Sequence, residues 1–455
     1  MSRSADSVNS VIKAYDVRGV VGEQIDAEFV RDIGGAFARL AREEGAGRIV
    51  VGHDMRESSP GLVKAFAEGV QAQGLDVVDI GLASTDGLYF ASGSLNCPGA
   101  MFTASHNPAK YNGIKLCRAG ARPVGQASGL AQIAREVQAG VPDYNGARGT
   151  VSSQNLLSEY AEFVRNLVDL TQMRRLTVAV DAGNGMGGYT VPAVFRELNV
   201  ELKPLYFELD GSFPNHEANP LDPANLVDLQ NFVRETGADI GLAFDGDADR
   251  CFVVDERGEP VSPSAVTALV AGRELAKEPG AAIIHNLITS RAVPEIVAER
   301  GGKAVRTRVG HSFIKQTMAE TNAIFGGEHS AHYYFRDFWG ADSGMLAALH
   351  MLSALGEQPR PLSELMAEYE RYIASGEINS TVADAARRME EVAAEFKERA
   401  AAVDWLDGLT IDLSDGSWFN LRASNTEPLV RLNVEARAKK RVDEITAEVL
   451  RIVRR

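Results

Sequence analysis

The segment Arg48-Ile49-Val50-Val51-Gly52-His53-Asp54 sets the pattern from which the fold of this chain is predicted. Its short apolar run, ending in polar residues, is typical of a buried strand. A helical pattern over residues 61–73 follows, and then a second apolar run, Leu75-Asp76-Val77-Val78-Asp79-Ile80. Strand, loop, helix and strand in this order favour a parallel α/β sheet.

The same arrangement occurs twice more. Its second copy has a strand at 176–180, a loop at 181–185, a helix near 191–198 and a strand at 200–207. The third copy has the same parts at 281–284, 285–290, 292–300 and 303–306. Three copies predict three similar α/β domains, and their irregular spacing excludes a solenoid.

The last part of the chain has a different order. A charged helix is predicted at 385–402, followed by strands at 409–413, 417–422 and 429–435 and by a helix that runs to residue 455. This order predicts a smaller α+β domain. The predicted domains are 1–153, 154–255, 256–368 and 369–455, which suits a chain of 455 residues.

Composition narrows the class of protein. There are 47 Lys and Arg residues against 62 Asp and Glu, and the net charge of −15 argues against general nucleic-acid binding. No apolar run is long enough to span a membrane, and the first residues lack an apolar signal core, so we expect a cytoplasmic protein. Three widely spaced cysteines favour neither a disulfide framework nor a Cys-rich zinc site.

The loop Thr103-Ala104-Ser105-His106-Asn107-Pro108 is the first candidate site. It lies between two apolar segments, so the Ser105 hydroxyl is placed on a loop with His106 beside it and Lys115 not far beyond. A hydroxyl with a base and a cation nearby is typical of an activated nucleophile. A plain polar turn has the same composition and is the alternative.

The second candidate is Asp245-Gly246-Asp247-Ala248-Asp249-Arg250, between two predicted strands. Three carboxylates at alternate positions repel each other without a cation, and oxygen ligands suit Mg²⁺ or Ca²⁺. A calcium EF-hand would need Gly at the sixth position and flanking helices, whereas Arg250 and strands are found here. Mg²⁺ is the better prediction, because it keeps waters and is commonly completed by a phosphate oxygen.

Two further loops carry polar groups. Gly327-Glu328-His329-Ser330-Ala331-His332 could bind sugar hydroxyls or be a polar loop that enters a strand, and its histidines lack a convincing zinc spacing. Arg422-Ala423-Ser424-Asn425-Thr426-Glu427-Pro428, with Arg431 after it, offers a guanidinium fork and hydroxyl donors that suit a phosphate. An ordinary hairpin loop is the alternative for the latter.

Together the four loops, in this order, resemble those of the α-D-phosphohexomutase family over essentially the whole chain. The resemblance implies three topologically similar α/β domains and a smaller fourth domain around a central cleft. It also implies an isomerase that transfers phosphate within hexose phosphates, with one Mg²⁺ per active site and a hexose 1,6-bisphosphate as activator. We expect sugar phosphates as partners, and a monomer or weak homodimer.

The resemblance also implies roles for individual residues. Ser105 would carry a phosphoryl group and bind Mg²⁺ together with Asp245, Asp247 and Asp249, and Arg250 would steady that group. The acid and base would come from Lys115 and His311. The residues expected to bind the substrate are Tyr15, Arg18, His106, Glu328, Ser330, Arg422, Ser424, Asn425, Thr426 and Arg431.

Substrate choice is the finer expectation. The strings 327–338 and 424–435 are similar to those of bacterial phosphomannomutases, which implies reversible conversion of mannose 1-phosphate and mannose 6-phosphate and a role in GDP-mannose synthesis. His329 and Ala331 depart from relatives that carry Met and Gly there, and a loop that binds O3 and O4 sees little of C2, so dual use of glucose stays open. A Mg²⁺-dependent phosphatase with Asp245 as nucleophile, or a non-catalytic sugar-phosphate binding protein, are the alternatives of another class.

Overall fold

The structure is a computed structural model in which residues 4–424 and 429–455 are described. The chain forms two compact units. The first unit contains the residues up to Val261 together with Ser330–Ser363, and the second contains Ser262–His329 and Glu364–Arg455.

The first sheet lies in the N-terminal third. Its order is β1-β5-β4-β2-β3-β7, with β6 on the far end of β5, and β2 runs parallel to both β3 and β4. Apolar faces of α2, α3 and α5 cover it and form one core. The elements are α1 (Ala5–Val11), β1 (Val17–Val20), α2 (Ala27–Glu43), β2 (Arg48–His53), α3 (Ser59–Ala72), β3 (Asp76–Leu82), α4 (Thr85–Ser94), β4 (Gly99–Phe102), β5 (Tyr111–Arg118), β6 (Arg122–Pro123), α5 (Ala131–Ala139) and β7 (Val151–Ser153).

The second sheet, also in the first unit, has the order β12-β11-β10-β8-β9. Strand β8 is parallel to β9 and β10, whereas β11 returns antiparallel to β10. Its central strand β10 is buried along its whole length, as its apolar run predicts. The elements are α6 (Leu157–Asn166), β8 (Leu176–Asp181), α7 (Gly187–Phe195), β9 (Val200–Leu205), α8 (Val227–Thr236), β10 (Ile240–Phe244), β11 (Cys251–Val254) and β12 (Pro260–Val261).

The third group of elements follows. In the second unit β13 is parallel to β14 and to β15, and in the first unit β16 and β17 form an antiparallel pair. The elements are α9 (Pro263–Lys277), β13 (Ala282–Asn286), α10 (Ala292–Glu299), β14 (Lys303–Thr307), α11 (His311–Thr321), β15 (Phe325–Gly327), β16 (Tyr333–Phe335), β17 (Ala341–Asp342), α12 (Gly344–Gly356) and α13 (Leu362–Met366).

The C-terminal sheet is antiparallel and lies in the second unit. Its order is β18-β23-β22-β21-β20, with β19 also on β23, and α14 and α15 pack on it. The elements are β18 (Ile373–Ala374), β19 (Ile378–Thr381), α14 (Ala385–Phe396), β20 (Ala400–Asp404), β21 (Leu409–Leu413), β22 (Trp418–Ala423), β23 (Leu429–Ala436) and α15 (Lys439–Val453).

The predicted class, three α/β domains and a smaller C-terminal α+β domain, is confirmed. One predicted element is wrong at its end: the helix expected over 385–402 stops at Phe396, and Ala400–Asp404 is a strand. Residues 400–404 form the edge strand β20, in which Val403 pairs with Ile411 of β21. The backbone hydrogen bonds to β21 outweigh the helix propensity of the alanines at 400–402. None of the helices in the described ranges has the length and apolar character of a membrane span.

Candidate active site

Ser105 occupies a strained backbone position between β4 and β5. Its φ of 49° lies in the left-handed region, which is uncommon for a residue with a side chain. Its backbone N–H donates to the Thr103 hydroxyl at 2.9 Å, and the residue is 5 % exposed. The hydroxyl therefore has a fixed direction before any ligand binds.

The acidic loop between β10 and β11 lies against Ser105. The Ser105 hydroxyl donates to Asp245 Oδ2 at 2.9 Å. Gly246 permits this approach, because a Cβ at that position would lie 2.5 Å from the Ser105 carbonyl oxygen. The two loops that the sequence singled out are thus in direct contact within the first unit.

The carboxylates of this loop fit a metal ion. Asp245, Asp247 and Asp249 are all buried, and each has an oxygen within 4.8 Å of the others. Asp247 Oδ1 and Asp249 Oδ1 are buried without a hydrogen-bond partner among the described residues. Buried carboxylate oxygens without donors are the arrangement that a hard cation satisfies.

Burial, together with the neighbouring charges, shifts the pKa values of two carboxylates in this loop. Burial, with the charge of Asp247 next in importance, raises the pKa of Asp249 to about 7. Burial also raises the pKa of Asp245, against the charge of Arg250. A bound cation would lower both pKa values by stabilising the carboxylate forms.

Lys115, on β5, supplies a positive charge to two carboxylates of the acidic loop. Its Nζ lies 2.6 Å from Asp247 Oδ2 and 2.6 Å from Asp249 Oδ2. Burial works to lower its pKa, but the two carboxylates raise that pKa well above its ordinary value. Ion pairing with the two carboxylates outweighs burial, so the ammonium form of Lys115 is stabilised.

Arg250 and His106 complete the surroundings of the serine hydroxyl. The Arg250 guanidinium donates to Asp245 Oδ2 at 2.8 Å and to His106 Nδ1 at 2.6 Å, and that nitrogen is 3.2 Å from Ser105 Oγ. Burial and the charge of Arg250 lower the pKa of His106 to about 3. His106 is thus a neutral acceptor that holds Arg250 beside Ser105.

Thr85 and Asp342, which lie near this cluster, were missed by sequence reasoning, whereas His332 was noted only as part of the loop 327–332. The Thr85 hydroxyl, at the first position of α4, donates to Asp247 Oδ2 at 2.6 Å, and its backbone N–H donates to the Asp247 carbonyl at 2.9 Å. His332 and Asp342 have ligand atoms within 4.8 Å of one in Asp249. Burial lowers the pKa of His332 to about 4, so its imidazole is neutral near pH 7.

Two predicted residues come from the N-terminal segment. Arg18, on β1, donates to the Asn107 side chain at 2.6 Å and to Asp16 at 2.5 Å, so it lies at the rim of the Ser105 loop. Tyr15 is half-buried in the turn before β1.

The predicted sugar loop is divided between the units. Glu328, in the second unit, follows β15, is buried, and accepts from the Asn286 amide at 3.0 Å and from the Gly310 N–H at 3.4 Å. Ser330, in the first unit, has its hydroxyl 3.1 Å from His332 Nδ1.

The predicted phosphate loop, in the second unit, brings two arginines to one carboxylate. Arg422 on β22 and Arg431 on β23 lie directly opposite each other on neighbouring strands. Both form ion pairs with the Glu377 carboxylate, at 3.5 Å and 3.1 Å. The Ser424 N–H donates to the Leu429 carbonyl. Asn425 and Thr426 lie outside the described residues, as does the side chain of His311, whose backbone begins α11.

Comparisons with known proteins give the class to which this fold and this site belong. The phosphoglucomutase/phosphomannomutase descriptions match in order: alpha/beta/alpha domain I at residues 9–141, domain II at 158–258, domain III at 262–372 and the C-terminal domain at 377–452. The chain belongs to the phosphoglucomutase/phosphomannomutase family.

Two relatives and one solved structure are similar to this chain over nearly its whole length. A phosphomannomutase of Salmonella montevideo is 40% identical over 452 residues, which cover 97% of this chain and 98% of the relative. A phosphohexose mutase of Xanthomonas campestris pv. campestris is 40% identical over 428 residues, covering 93% and 94%. A crystal structure of a phosphoglucomutase/phosphomannomutase family protein from Burkholderia thailandensis superposes with a TM-score of 0.89 at 33% identity, covering 100% of this chain and 98% of the other.

Proposed function

We propose that this protein is a phosphomannomutase that interconverts mannose 1-phosphate and mannose 6-phosphate. The observation that carries the proposal is the contact between the Ser105 hydroxyl and the acidic loop, with Lys115 and Arg250 beside it. Phosphoryl transfer needs a positioned oxygen and cations around the moving group more than it needs covalent help from the protein. Phosphomannomutases are also among the full-length relatives.

Ser105 is the proposed phosphoryl carrier. In the forward direction the free hydroxyl oxygen of the sugar monophosphate attacks the phosphorus of phosphoserine, and the bond between phosphorus and Ser105 Oγ breaks. The products are a hexose 1,6-bisphosphate and a Ser105 alkoxide that takes up a proton. The second transfer reverses these bonds with the other phosphate of the intermediate, so the serine is phosphorylated again at the end.

Asp245, Asp247, Asp249 and the Ser105 oxygen are the proposed ligands of one Mg²⁺. The bound ion would neutralise charge on the transferring phosphoryl group. Asp245 already accepts three hydrogen bonds from Arg250 and one from Ser105, which orients its carboxylate. The Thr85 hydroxyl donates to Asp247 Oδ2 and so helps to orient that carboxylate.

Mutase chemistry needs an acid for the leaving oxygen and a base for the attacking sugar hydroxyl, and three residues are candidates for these roles. Lys115 holds its proton, so it would serve as the acid that protonates a leaving oxygen. His332, half-buried and with a ligand atom near one of Asp249, is a candidate base by position, although its lowered pKa makes the imidazole a weak one. His311 stays a second candidate base on the strength of the family resemblance.

The residues that would bind the sugar and its second phosphate are assigned on the strength of the family resemblance. Glu328 and Ser330 would hold ring hydroxyls, and Arg422, Arg431, Ser424, Asn425 and Thr426 would bind the phosphate that is not transferred. Tyr15, Arg18 and His106 would contact the substrate near Ser105. None of these assignments places a group against O2 of the sugar, so use of glucose phosphates is the finer question.

The test is a competition between mannose 1-phosphate and glucose 1-phosphate at equal concentration, followed by ³¹P NMR with Mg²⁺ and a trace of hexose 1,6-bisphosphate. We expect both 6-phosphate signals or the mannose one alone, without inorganic phosphate. Release of inorganic phosphate would instead indicate a phosphatase, and no change in either sugar would leave a binding protein.

A further inference from the structure

We propose that Arg56 is a positioning residue that sets the backbone of the Ser105 loop, and so the direction of the nucleophilic oxygen. The inference rests on the proposed function, because it concerns the geometry of the phosphoryl-carrying serine. Arg56 follows β2 and is 2 % exposed, which is rare for an arginine without a specific set of partners.

All five N–H groups of the Arg56 side chain are used. Its Nε donates to Asp54 Oδ2 at 3.1 Å. The remaining four contacts all go to backbone carbonyls of the Ser105 loop, namely those of Ser105 (3.0 Å), Asn107 (2.6 Å), Pro108 (3.0 Å) and Tyr111 (3.0 Å). A guanidinium offers five donors in a fixed plane, so one side chain fixes the course of seven residues.

The hydrogen bonds of Arg56 stabilise the strained backbone conformation of Ser105. Ser105 has its carbonyl held by Arg56, its N–H held by Thr103 and a φ of 49°. Without the Arg56 contact the carbonyl of a left-handed residue would lose its buried donor, and the loop would relax towards a less strained conformation. The hydroxyl would then turn away from Asp245.

Arg56 is itself fixed from three sides. Asp54, which is fully buried, accepts from Arg56 and from the Ser59 hydroxyl at 2.8 Å. The Phe213 ring lies over the guanidinium, with its centroid 5.1 Å from Cζ. Gly211 packs so closely that a Cβ there would lie 2.7 Å from Arg56 Cα. The loop that carries Gly211 and Phe213 thereby acts on Ser105 through Arg56.

Lysine cannot replace this residue, although it keeps the charge. An ammonium has three donors at one point and cannot reach four separate carbonyls. We therefore expect Arg56→Lys to preserve the sign of the local potential and to lose the loop geometry. Arg39→Lys is the matched control, since Arg39 forms its ion pair with Glu136 on the helical face of the same domain.

The experiment measures the rate at which a hexose 1,6-bisphosphate phosphorylates dephosphorylated Ser105, by intact-protein mass spectrometry on quenched samples. We expect Arg56→Lys to be slower by about 10²-fold, as for a reacting group displaced by about 1 Å, with KM for the sugar phosphate and Mg²⁺ affinity unchanged. Arg39→Lys should equal the wild type. A phosphorylation rate of Arg56→Lys equal to that of the control would overturn the inference.

A second variant covers the case in which Arg56→Lys does not fold. Phe213→Ala removes only a half-buried ring from above the guanidinium. It should slow phosphorylation of Ser105 several-fold at unchanged KM, and an unaltered rate would refute the role of Arg56. A wild-type enzyme that takes up no phosphoryl group would refute the proposed function itself. If the wild type is phosphorylated and both variants are phosphorylated at the same rate, only the positioning role of Arg56 is refuted.

Discussion

The Ser105 hydroxyl donates a hydrogen bond to Asp245 at 2.9 Å, although the two residues are 140 positions apart in the chain. They lie on loops that follow strands of two different sheets, β4 and β10. This contact places a candidate phosphoryl carrier directly on a candidate metal site.

Ser105→Ala should lose nearly all mutase activity, by at least about 10³-fold, because the oxygen that carries the phosphoryl group is absent. Mg²⁺ binding, measured by calorimetry, should persist, since the three carboxylates stay in place. Ser152→Ala, on the edge strand β7, is the control and should behave as wild type. Substantial turnover by Ser105→Ala would remove the serine from the reaction.

Lys115→Met should bind Mg²⁺ more tightly than the wild type and turn over more slowly, by about 10²-fold. The reason is that the ammonium neutralises Asp247 and Asp249 and therefore competes with a divalent cation for their charge. Calorimetric titration with Mg²⁺ and steady-state kinetics give the two quantities.

Lys64→Met, on the exposed face of α3, controls for the loss of one positive charge. Weaker Mg²⁺ binding by Lys115→Met than by this control would contradict the assignment, because it would mean that the ammonium supports the metal site.

Arg422→Lys should raise KM for the sugar phosphate by about 10- to 100-fold while changing kcat far less, since a bidentate donor to the bound phosphate is lost. Arg422 and Arg431 share the Glu377 carboxylate, so this site is already built for an anion. Initial-rate kinetics measure the effect. Arg387→Lys, on the exposed face of α14, should be neutral, and an equal KM for both variants would exclude Arg422 from the phosphate site.

His216→Gln should reduce thermal stability at acidic pH more than at alkaline pH. Burial opposes protonation of His216, but the Asp181 carboxylate, 2.9 Å from Nε2, raises the pKa of the imidazole above 6.5. A raised folded-state pKa means that the stabilisation is fully present below about pH 6.5 and is lost as the pH rises through the folded value.

Differential scanning calorimetry at pH 5.5 and pH 8.5 would measure this difference, which we expect to be about 1–3 °C larger at the lower pH. In an Asp181→Asn background the same substitution should show no pH-dependent difference. A wild-type stability that exceeds the variant's equally at both pH values would show that the pair is not ionic.

The sequence predicted those features that depend on neighbours along the chain. Alternating apolar runs gave the strands β2, β8 and β13 and the helices after them, and the loop compositions gave Ser105, the three aspartates and Arg422. The end of α14 was missed, because the pairing of Val403 with Ile411 depends on a partner strand that local propensity does not contain.

The supporting residues could not be predicted, because their roles come from contacts between distant segments. Thr85 reaches Asp247 across 162 positions, and Arg56 reaches Ser105 across 49. One weak signal was present: Asp54 and Arg56 directly follow β2, whose carboxyl end lies beside that of β4 in a parallel pair. The raised pKa of Lys115 was likewise invisible without its two partners.

A single turnover shows whether the transferred phosphate passes through Ser105. Enzyme whose phosphoryl group is labelled with ¹⁸O, freed of bisphosphate, is mixed with one equivalent of unlabelled mannose 1-phosphate and Mg²⁺, and ³¹P NMR and intact-protein mass follow the label. We expect transient loss of the phosphoserine, formation of mannose 1,6-bisphosphate and then mannose 6-phosphate that carries the label, with Ser105 rephosphorylated by the unlabelled phosphate and no inorganic phosphate. Conversion of the sugar while every Ser105 keeps its original phosphate, or release of inorganic phosphate, would contradict the role of Ser105 as phosphoryl carrier.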